Sequence, residues 1–290
     1  MPHQRLSSPS TITLIFISLI RLVCLQNWLR WGLRYRLFAL VPPLDHPFDV
    51  PFFGTRYRGN LNTFGDRYVY FFGAGEREYM LAMGNYVRPG SVVLDVGANV
   101  GQHSLYFAVK GAHVLAFEPY EAVRKTLEDR VRGFASVKIF DIGLSDAEGS
   151  FLFSAPIGDN IGLGSFSAGH GDPDRIALTL HTRKGDDVVR DENLTRVDFI
   201  KIDVERHEAP TLRGLQHTMH TFRPVVEFEF AAFAFSSRDE FDHLTSGYTP
   251  YFLTRNRPFL WLFNRPKAIL TPFTFQGEGE VLLLPDEQAK

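Results

Sequence analysis

Strand patterns and helix patterns alternate along the chain from residue 91 onward, and this alternation limits the possible folds. Residues 91–96 are almost continuously apolar, a glycine-bearing turn follows at 97–101, and a helix pattern runs over 103–110. The alternation then continues; the predicted strands are 113–117, 137–140, 197–203 and 223–229, and the predicted helices are 121–132 and 209–221. Because parallel strands need crossover helices, this pattern predicts a Rossmann-like, doubly wound, mostly parallel α/β sheet.

The flanking segments are expected to be less regular. Four prolines between residues 42 and 51 predict a linker or an extended lead-in. Turn residues within 57–72 favour a short hairpin, and a helix is predicted over 76–87. A closing pair of strands is predicted at 247–253 and 279–284. We therefore expect three parts: an N-terminal helical extension (1–40), a lead-in segment with a helix (41–88) and the sheet domain (89–290).

Composition excludes several classes of protein. The chain has 290 residues, and 31 Lys and Arg against 33 Asp and Glu give a net charge of −2. This balance is not typical of nucleic-acid-binding proteins, so we expect no nucleic-acid partner. Cys24 is the one cysteine, which excludes an intramolecular disulfide and a cysteine-rich zinc site and fits a cytoplasmic location.

Residues 1–40 differ from the rest because they contain five arginines and no acidic residue. Their apolar run, 12–25, is shorter than the roughly 20 residues that span a bilayer, and no signal-peptide cleavage site follows it. Trp28, Trp31 and Tyr35 follow with arginines beside them, a mixture suited to lipid headgroups. We expect residues 10–40 to contact a membrane peripherally; the alternatives are a helix packed on the main domain or a poorly ordered extension.

The turn after the first predicted strand carries Gly97, Asn99 and Gly101. Glycine lets a backbone approach a ligand closely, although any tight turn between a strand and a helix also needs it. The spacing differs from the G-x-G-x-x-G pattern of dinucleotide sites. Asp95 precedes the turn, where its carboxylate would repel a pyrophosphate but suits the amino-acid end of S-adenosylmethionine. The turn therefore favours S-adenosylmethionine as the cofactor.

Acids also end the next two predicted strands. Glu118 is placed where a carboxylate can accept hydrogen bonds from both ribose hydroxyls, and Asp141 where it can reach an adenine amino group. Each acid alone has a simpler interpretation, as a helix N-terminal acid or a turn cap. Acids at the ends of three successive strands form a stronger joint signal, and we predict that Asp95, Glu118 and Asp141 all bind the cofactor.

Several short motifs follow one another along about half of the chain. They are Leu94-Asp95-Val96-Gly97-Ala98-Asn99-Val100-Gly101, Phe117-Glu118-Pro119, Gly143-Leu144-Ser145-Asp146 before Gly149, Asn160-x-Gly162-x-x-Ser165, Ile200-Lys201-Ile202-Asp203-Val204-Glu205-x-His207-Glu208, and Arg223-Pro224 leading to Glu227 and Glu229. With these motifs, residues 91–230 resemble the FkbM-type S-adenosylmethionine-dependent methyltransferases. The resemblance implies a class I methyltransferase fold and methyl transfer, usually to a hydroxyl of a sugar, a lipid-linked glycan or a natural product.

Two positions depart from that family. Arg206 stands where the family usually has Gly, and Gly185 stands where it tends to have Leu. Arg206 lies beside the segment expected to be catalytic. Its side chain either interferes with activity or supplies a cation for an anionic acceptor.

An alcohol acceptor must lose its proton when it is methylated, which needs a nearby base or a metal. Four polar residues lie at or just beyond the end of the strand predicted at 197–203: Asp203, Glu205, His207 and Glu208. We predict His207 or Glu205 as the base and Asp203 as a residue that positions the cofactor or acceptor. The alternative is that the glutamates only favour the next helix's N-terminus and that His207 is solvated.

Three further acids are candidates. Glu227 and Glu229 share one face of a predicted strand, where they could bind a divalent metal or a polar acceptor or act as solvated strand-end acids; no metal is predicted. Glu78 is predicted to close over the cofactor, as an acid does in related sequences, and a surface helix acid is the alternative.

Two other functions compete with methyl transfer. One is a non-catalytic or assembly factor that retains the fold, which Arg206 and the basic N-terminus favour. The other is a nicotinamide-dependent oxidoreductase, against which the glycine spacing and Asp95 count. The sequence leaves the oligomeric state and the acceptor open; the expected partner is a hydroxylated small molecule, a glycan or a lipid-linked acceptor.

Overall fold

The computed structural model describes most of the chain. The described residues are 10–26, 31–156, 175–204, 206–256 and 267–289. The predicted site residue Glu205 and the motif from Asn160 to Ser165 lie outside them.

The chain divides into two compact units. Met1–Tyr79 and Arg255–Lys267 form the first unit, and Met80–Thr254 and Ala268–Lys290 form the second. The predicted division into three parts stays a prediction.

The first unit contains helices and one β-hairpin. Its elements are α1 (Thr11–Cys24), α2 (Trp31–Ala39), β1 (Pro47–Phe52), β2 (Thr55–Asn60) and α3 (Phe64–Phe72). Ser10 caps α1, because its Oγ accepts a hydrogen bond of 3.2 Å from the backbone N–H of Thr13. Phe53 and Gly54 join the two antiparallel strands, and both have positive φ, as a type I′ hairpin turn requires.

The hairpin predicted within residues 57–72 is wrong. β2 pairs with the preceding strand β1, and 64–72 is the helix α3. Pro47 and Pro51, which favoured a linker, lie in β1. Proline is tolerated there because both strands of a two-stranded sheet are edge strands.

Apolar and aromatic side chains build the core of the first unit. The buried members are Ile17, Ile20, Cys24, Phe38, Val41, Leu44, Leu61, Phe71 and Phe72. The ring of Phe38 meets those of Tyr68 and Phe71 edge-on, with centroids 5.1 and 5.7 Å apart, which is a geometry that aromatic pairs prefer. One face of α1 is therefore part of a folded core.

The remaining strands follow in chain order. They are β3 (Val92–Val96), β4 (His113–Phe117), β5 (Val137–Phe140), β6 (Gly143–Ser145), β7 (Gly149–Pro156), β8 (Arg175–Lys184), β9 (Phe199–Ile202), β10 (Val225–Ala231), β11 (Tyr248–Asn256), β12 (Lys267–Pro272) and β13 (Glu278–Pro285).

Eight of these strands form one sheet in the order β12-β11-β13-β10-β9-β3-β4-β5. The strands from β10 to β5 run parallel, and β13 is antiparallel to both β10 and β11. The chain passes from β3 to β4 and β5 on one side and from β9 to β10 on the other, so the strand order reverses between β3 and β9. The predicted Rossmann-like, doubly wound, mostly parallel sheet is confirmed, and the two predicted closing strands, β11 and β13, pair antiparallel within it.

The other helices connect these strands. They are α4 (Arg77–Met83), α5 (Gln102–Val109), α6 (Glu121–Val131), α7 (Gly185–Asp191), α8 (Glu208–Gly214), α9 (Gln216–Phe222) and α10 (Arg238–Leu244). Because crossovers between parallel strands are right-handed, α5 and α6 cover one face of the sheet, and α8 and α9 cover the other. In the described parts of the chain, no helix combines the length and apolar character needed to cross a bilayer.

A small second sheet, in the order β6-β8-β7, lies between β5 and α7 in the chain. It explains why the helix predicted over 209–221 is two helices. Gly214 ends α8 against β6, where a Cβ would lie only 1.8 Å from the carbonyl oxygen of Ser145. The chain therefore bends at Leu215 before α9 begins.

Candidate active site

Parallel strands bring a row of charged side chains to one face of the main sheet. Asp95 on β3 is in register with Lys201 on β9, and Lys201 is in register with Glu227 on β10. Side chains alternate along a strand, so residues in register point to the same face. The row crosses the point where the strand order reverses, which is where sheets of this kind bind ligands.

The glycine-bearing turn packs tightly at the end of this row. Gly97, Asn99 and Gly101 all have positive φ, of 77°, 50° and 82°. A Cβ on Gly97 would lie 1.8 Å from the carbonyl oxygen of Asp203, and a Cβ on Gly101 would lie 2.4 Å from a methyl carbon of Leu127. Only glycine fits these two positions, and the packing places the turn directly against the end of β9.

The carboxylate of Asp95 is fully buried, and within the described part of the chain only one of its two oxygens is hydrogen-bonded. The Ser104 hydroxyl on α5 donates a 2.5 Å hydrogen bond to Oδ2. Oδ1 has no hydrogen-bond partner among the described residues and lies 4.0 Å from the Lys201 Nζ atom. Burial raises the pKa of Asp95, and the Lys201 ammonium opposes this rise. A buried carboxylate oxygen without a donor fits the ammonium group of S-adenosylmethionine.

Glu118 follows β4 beside the turn. Its Oε2 accepts a 2.9 Å hydrogen bond from the Asn99 N–H, and its Oε1 accepts one of 2.9 Å from the Tyr120 N–H. Burial raises the pKa of Glu118 to about 7, although both N–H groups favour the carboxylate. The Glu118 N–H donates to the carbonyl of Phe140, which precedes the exposed Asp141. The three strand ends predicted to bind the cofactor are therefore neighbours.

Lys201 is a site residue that was not predicted. It is buried, and its Nζ lies 3.1 Å from Oδ2 of Asp203. Burial lowers the pKa of Lys201, but the carboxylates of Asp203, Asp95 and Glu227 outweigh burial and raise it. Lys201 is thus a fixed ammonium that holds several carboxylates together. The sequence feature that could have identified Lys201 was its position in the middle of an apolar strand pattern.

Carboxyl groups continue along the same face. Glu229 on β10 is in register with Glu280 on β13. Burial and the adjacent Glu227 carboxylate raise the pKa of Glu280, and burial raises that of the more exposed Glu229. Across the described ranges, no group of three or more potential metal ligands is found. This side of the sheet is rich in hydrogen-bond acceptors.

His207 precedes α8 and faces the small sheet. Its Nε2 lies 2.9 Å from the Ser145 Oγ, and its ring meets that of Phe151 edge-on with centroids 5.2 Å apart. Burial lowers the pKa of His207 and so favours the neutral imidazole. The structure therefore places Asp203 beside Lys201 and His207 beside β6.

The residue after Glu205 has an unusual backbone. Arg206 has φ of 78°, in the left-handed region that favours glycine, so the backbone here suits the glycine that the resemblance leads us to expect at this position. Its guanidinium lies 5.0 Å from the ring centroid of the exposed Phe233. The Arg206 N–H donates a 3.1 Å hydrogen bond to Oε1 of Glu208, and burial raises the pKa of Glu208 to about 7.

His103 is a second residue that was not predicted. It lies in the first turn of α5 next to Ser104, and its buried Nε2 has no hydrogen-bond partner in the described ranges. Burial and the Lys201 ammonium lower the pKa of His103 well below its ordinary value. A neutral imidazole can accept a proton through its unprotonated nitrogen. The sequence offered no signal, because His103 reads as an ordinary helix residue.

Glu78 lies on α4, and its Oε2 is 3.6 Å from Nε of Arg255. Both residues belong to the first unit. The predicted contact of Glu78 with the cofactor stays a prediction.

Comparison with known proteins identifies a family for this chain. The model of the methyltransferase FkbM domain matches residues 95–248. The AMB antimetabolite synthetase AmbE of Pseudomonas aeruginosa is 34% identical over 163 aligned positions, and the alignment covers 44% of this chain and 8% of AmbE. The hexuronic acid methyltransferase AglP of Haloferax volcanii is 27% identical over 154 residues, which are 52% of this chain and 61% of AglP. This chain thus spans less than two thirds of either relative.

Two solved structures are also similar. The methyltransferase FkbM from Methylobacillus flagellatus has a TM-score of 0.42 and 13% identity, with 94% of this chain and 60% of that chain covered. A SAM-dependent methyltransferase from Agrobacterium tumefaciens has a TM-score of 0.45 and 11% identity, with 84% and 71% covered.

The family match extends over just more than half of the 290 residues and contains the turn, the strand-end acids and the polar row described above. The chain therefore belongs to the FkbM methyltransferase family, and its cofactor is S-adenosylmethionine.

Proposed function

We propose that the protein is an O-methyltransferase that acts on a hydroxyl of a sugar, a glycolipid or a natural product. The observation that carries the proposal is the carboxylate-rich face beside the cofactor turn, where Asp203 and Glu229 adjoin the row of Asp95 and Lys201. Carboxylates accept hydrogen bonds from hydroxyl groups, so this face suits a polyhydroxylated acceptor. The relative AglP is a hexuronic acid methyltransferase, which supports a sugar-derived acceptor.

The cofactor site in this proposal follows the strand ends. Asp95 accepts from the ammonium group, the turn lets the backbone approach the ligand, Glu118 binds the ribose and Asp141 reaches the adenine. Glu78 closes over the ligand. The proposed set is Asp95, Gly97, Asn99, Gly101, Glu118, Asp141 and Glu78.

When bound, S-adenosylmethionine supplies an electrophilic methyl group on a sulfonium sulfur. The protein must hold the acceptor oxygen in line with that methyl group and accept the hydroxyl proton. We propose His207 or Glu205 as the base, with Asp203 positioning the cofactor or acceptor. His103 is a further candidate, because its buried Nε2 has no hydrogen-bond partner in the described ranges, but burial and the Lys201 ammonium lower its pKa and make it a weaker base.

Alanine variants separate the two histidines. If His207 is the base, His207→Ala retains cofactor affinity and loses most turnover, by about 100-fold or more, while His103→Ala retains turnover. The measurement is the single-turnover rate with labelled S-adenosylmethionine, alongside calorimetric cofactor affinity. Full activity in His207→Ala would remove His207 from the reaction.

An acceptor screen tests the reaction class. The purified full chain is incubated with labelled S-adenosylmethionine and with uronic acid glycosides, neutral glycosides or lipid-linked glycans. We expect an O-methyl ether, identified by the mass gain of one methylene and by the chemical shift of the new methyl group. Methylation of a carboxylate, a nitrogen or a carbon atom would contradict the proposal.

A non-catalytic role is the second candidate, and Arg206 favours it because its side chain occupies the position where the family usually has glycine. In that case cofactor binds but no acceptor is methylated. The proposal also includes a cytoplasmic location with peripheral membrane contact through residues 10–40, which would bring the protein to a lipid-linked acceptor.

A further inference from the structure

Helix α1 has two apolar faces, and only one of them is buried. The inner face contributes Ile17, Ile20 and Cys24 to the core of the first unit. The outer face carries five large apolar side chains that are 48–80% exposed: Ile12, Ile15, Phe16, Leu19 and Leu22. Their spacing of three and four residues aligns them in one stripe along the helix. We call this stripe the outer face of α1.

The outer face contains no charged side chain. The other exposed residues of α1 are Thr11, Thr13 and Ser18. Contiguous exposed apolar surface of this kind is uncommon on monomeric proteins and marks a binding surface. A helix of 14 residues is about 21 Å long, which is shorter than the roughly 30 Å hydrocarbon core of a bilayer. Such a helix can lie in the plane of a membrane interface.

The charge of the first unit indicates which surface it meets. The unit contains 13 Arg and Lys residues but only 5 Asp and Glu residues, a net charge of +8. Since the whole chain carries −2, the second unit carries −10. Charge segregation of this size produces a positive potential over the first unit, which attracts anionic surfaces.

The arginines of α1 and α2 differ in their contacts. Arg21 donates to the Tyr70 carbonyl and lies over its ring, and Arg34 lies over the ring of Phe72, so both stabilise the core of the unit. Arg36 on α2, which packs against α1, is exposed. The first unit therefore combines exposed apolar side chains on α1 with an exposed arginine on the adjacent helix α2, a combination found in interfacial helices.

We propose that the outer face of α1 inserts into the headgroup region of an anionic lipid bilayer, with the helix parallel to the membrane plane. The inference deepens the peripheral contact included in the proposed function and names the lipid class and the side chains. Vesicle binding is measured without cofactor or acceptor, so its outcome is independent of methyl transfer.

The test is flotation of the full chain with phosphatidylcholine vesicles that contain about one third phosphatidylserine, compared with phosphatidylcholine alone. The protein should bind the anionic vesicles at least tenfold more tightly, and 0.5 M NaCl should weaken this binding. Phe16→Ser/Leu19→Ser should lose at least tenfold in vesicle affinity, because two inserted side chains are removed. Leu152→Ser, which removes an exposed apolar side chain from β7, is the matched control and should bind as the wild type does.

A second double variant, Ile12→Ser/Ile15→Ser, should lose vesicle affinity in the same way, which guards against a local folding defect in the first. Each variant should keep the wild-type circular dichroism spectrum and calorimetric cofactor affinity. Equal binding to both kinds of vesicle, or unchanged binding by both folded variants, would overturn the proposal. A wild-type dimer that these substitutions convert to monomers, with no vesicle binding by either form, would also overturn it and assign the face to a second copy of the chain.

Discussion

Arg206 shows how one residue can carry backbone strain beside a site. Its φ of 78° costs a residue with a side chain about 1–2 kcal/mol, whereas glycine adopts this conformation freely. Its guanidinium lies over Phe233, and its N–H is bonded to Glu208. A strained residue that persists at such a place is a reason to test it for function.

Arg206→Gly is expected to raise the free energy of unfolding by about 0.5–1 kcal/mol, since relief of the left-handed strain exceeds the entropy that glycine gains in the unfolded chain. Arg206→Ala is the control, because it also loses the guanidinium but keeps the strain. Urea denaturation of both variants measures the difference. If the glycine variant is no more stable than the alanine variant, backbone strain is not the main cost at this position.

Lys201 neutralises buried carboxylates that would otherwise face each other. Lys201→Met has a similar volume but leaves Asp95 and Glu227 buried without their cation, and the expected loss is about 3–5 kcal/mol of unfolding free energy. Lys138→Met is the control. Lys138 forms a more exposed ion pair with Glu192, and this pair should contribute less than about 1 kcal/mol to the free energy of unfolding. Similar losses in the two variants, measured by denaturation, would contradict the role of Lys201.

Glu118 should make the stability of the cofactor-free protein depend on pH. Its pKa is about 7 in the folded state, above the ordinary 4.5, so the folded state retains a proton that the unfolded state has already released. The free energy of unfolding therefore falls as pH rises from about 4.5 to 7, by at most about 3 kcal/mol from this group, and levels off above pH 7.

Glu118→Gln should flatten this part of the pH profile, measured by thermal unfolding between pH 5 and 8. Glu128→Gln, at an exposed position on α6, should keep the wild-type slope. A wild-type slope in Glu118→Gln would show that burial does not raise the Glu118 pKa.

Among the elements, the turn between β3 and α5 needs glycine because of contacts that its own sequence does not indicate. The pattern Gly97-x-Asn99-x-Gly101 predicts a tight turn, but the clash of a Cβ with the Asp203 carbonyl appears only when β9 lies beside β3. Gly90 provides a contrast, since its φ is also positive, 81°, yet a Cβ there would meet nothing within 4 Å.

Gly97→Ala is expected to lower the free energy of unfolding by about 3 kcal/mol or more, because it adds a steric clash to the backbone strain. Gly90→Ala adds the strain alone and should cost about 1–2 kcal/mol while leaving cofactor binding unchanged. Denaturation and cofactor titration of both variants make the comparison. Equal stability of the two variants would contradict the packing of the turn against β9.

The parallel core was predictable from sequence, because buried strands between helices are continuous apolar runs. The predicted strands 113–117 and 137–140 coincide with β4 and β5. The hairpin at β1 was missed because Pro47 and Pro51 are poor strand residues except at an edge. The break between α8 and α9 depends on contact with β6, which local propensity cannot indicate.

For the whole molecule, the sequence predicted which strand ends carry polar groups but not which side chains meet. The proximity of Asp95, Glu118 and Asp141 could be predicted, because acids at the ends of successive parallel strands lie along one edge of the sheet. Lys201 was missed because two of its three carboxylate neighbours, Asp95 and Glu227, lie on adjacent strands, and His103 was missed because the ammonium that acts on it belongs to β9. The direction in which His207 points, toward Ser145, likewise depends on the small sheet. The segregation of +8 and −10 between the units also emerged only with the structure.

Calorimetric titration of the full chain with S-adenosylmethionine and its demethylated product tests the cofactor site directly. We expect micromolar binding to the wild type, at least tenfold weaker binding to Asp95→Ala and to Glu118→Ala, and unchanged binding to Asp129→Ala, which alters an exposed acid on α6. A well-folded wild type that binds neither ligand, or undiminished binding in both strand-end variants, would contradict the assignment of this edge of the sheet as the cofactor site.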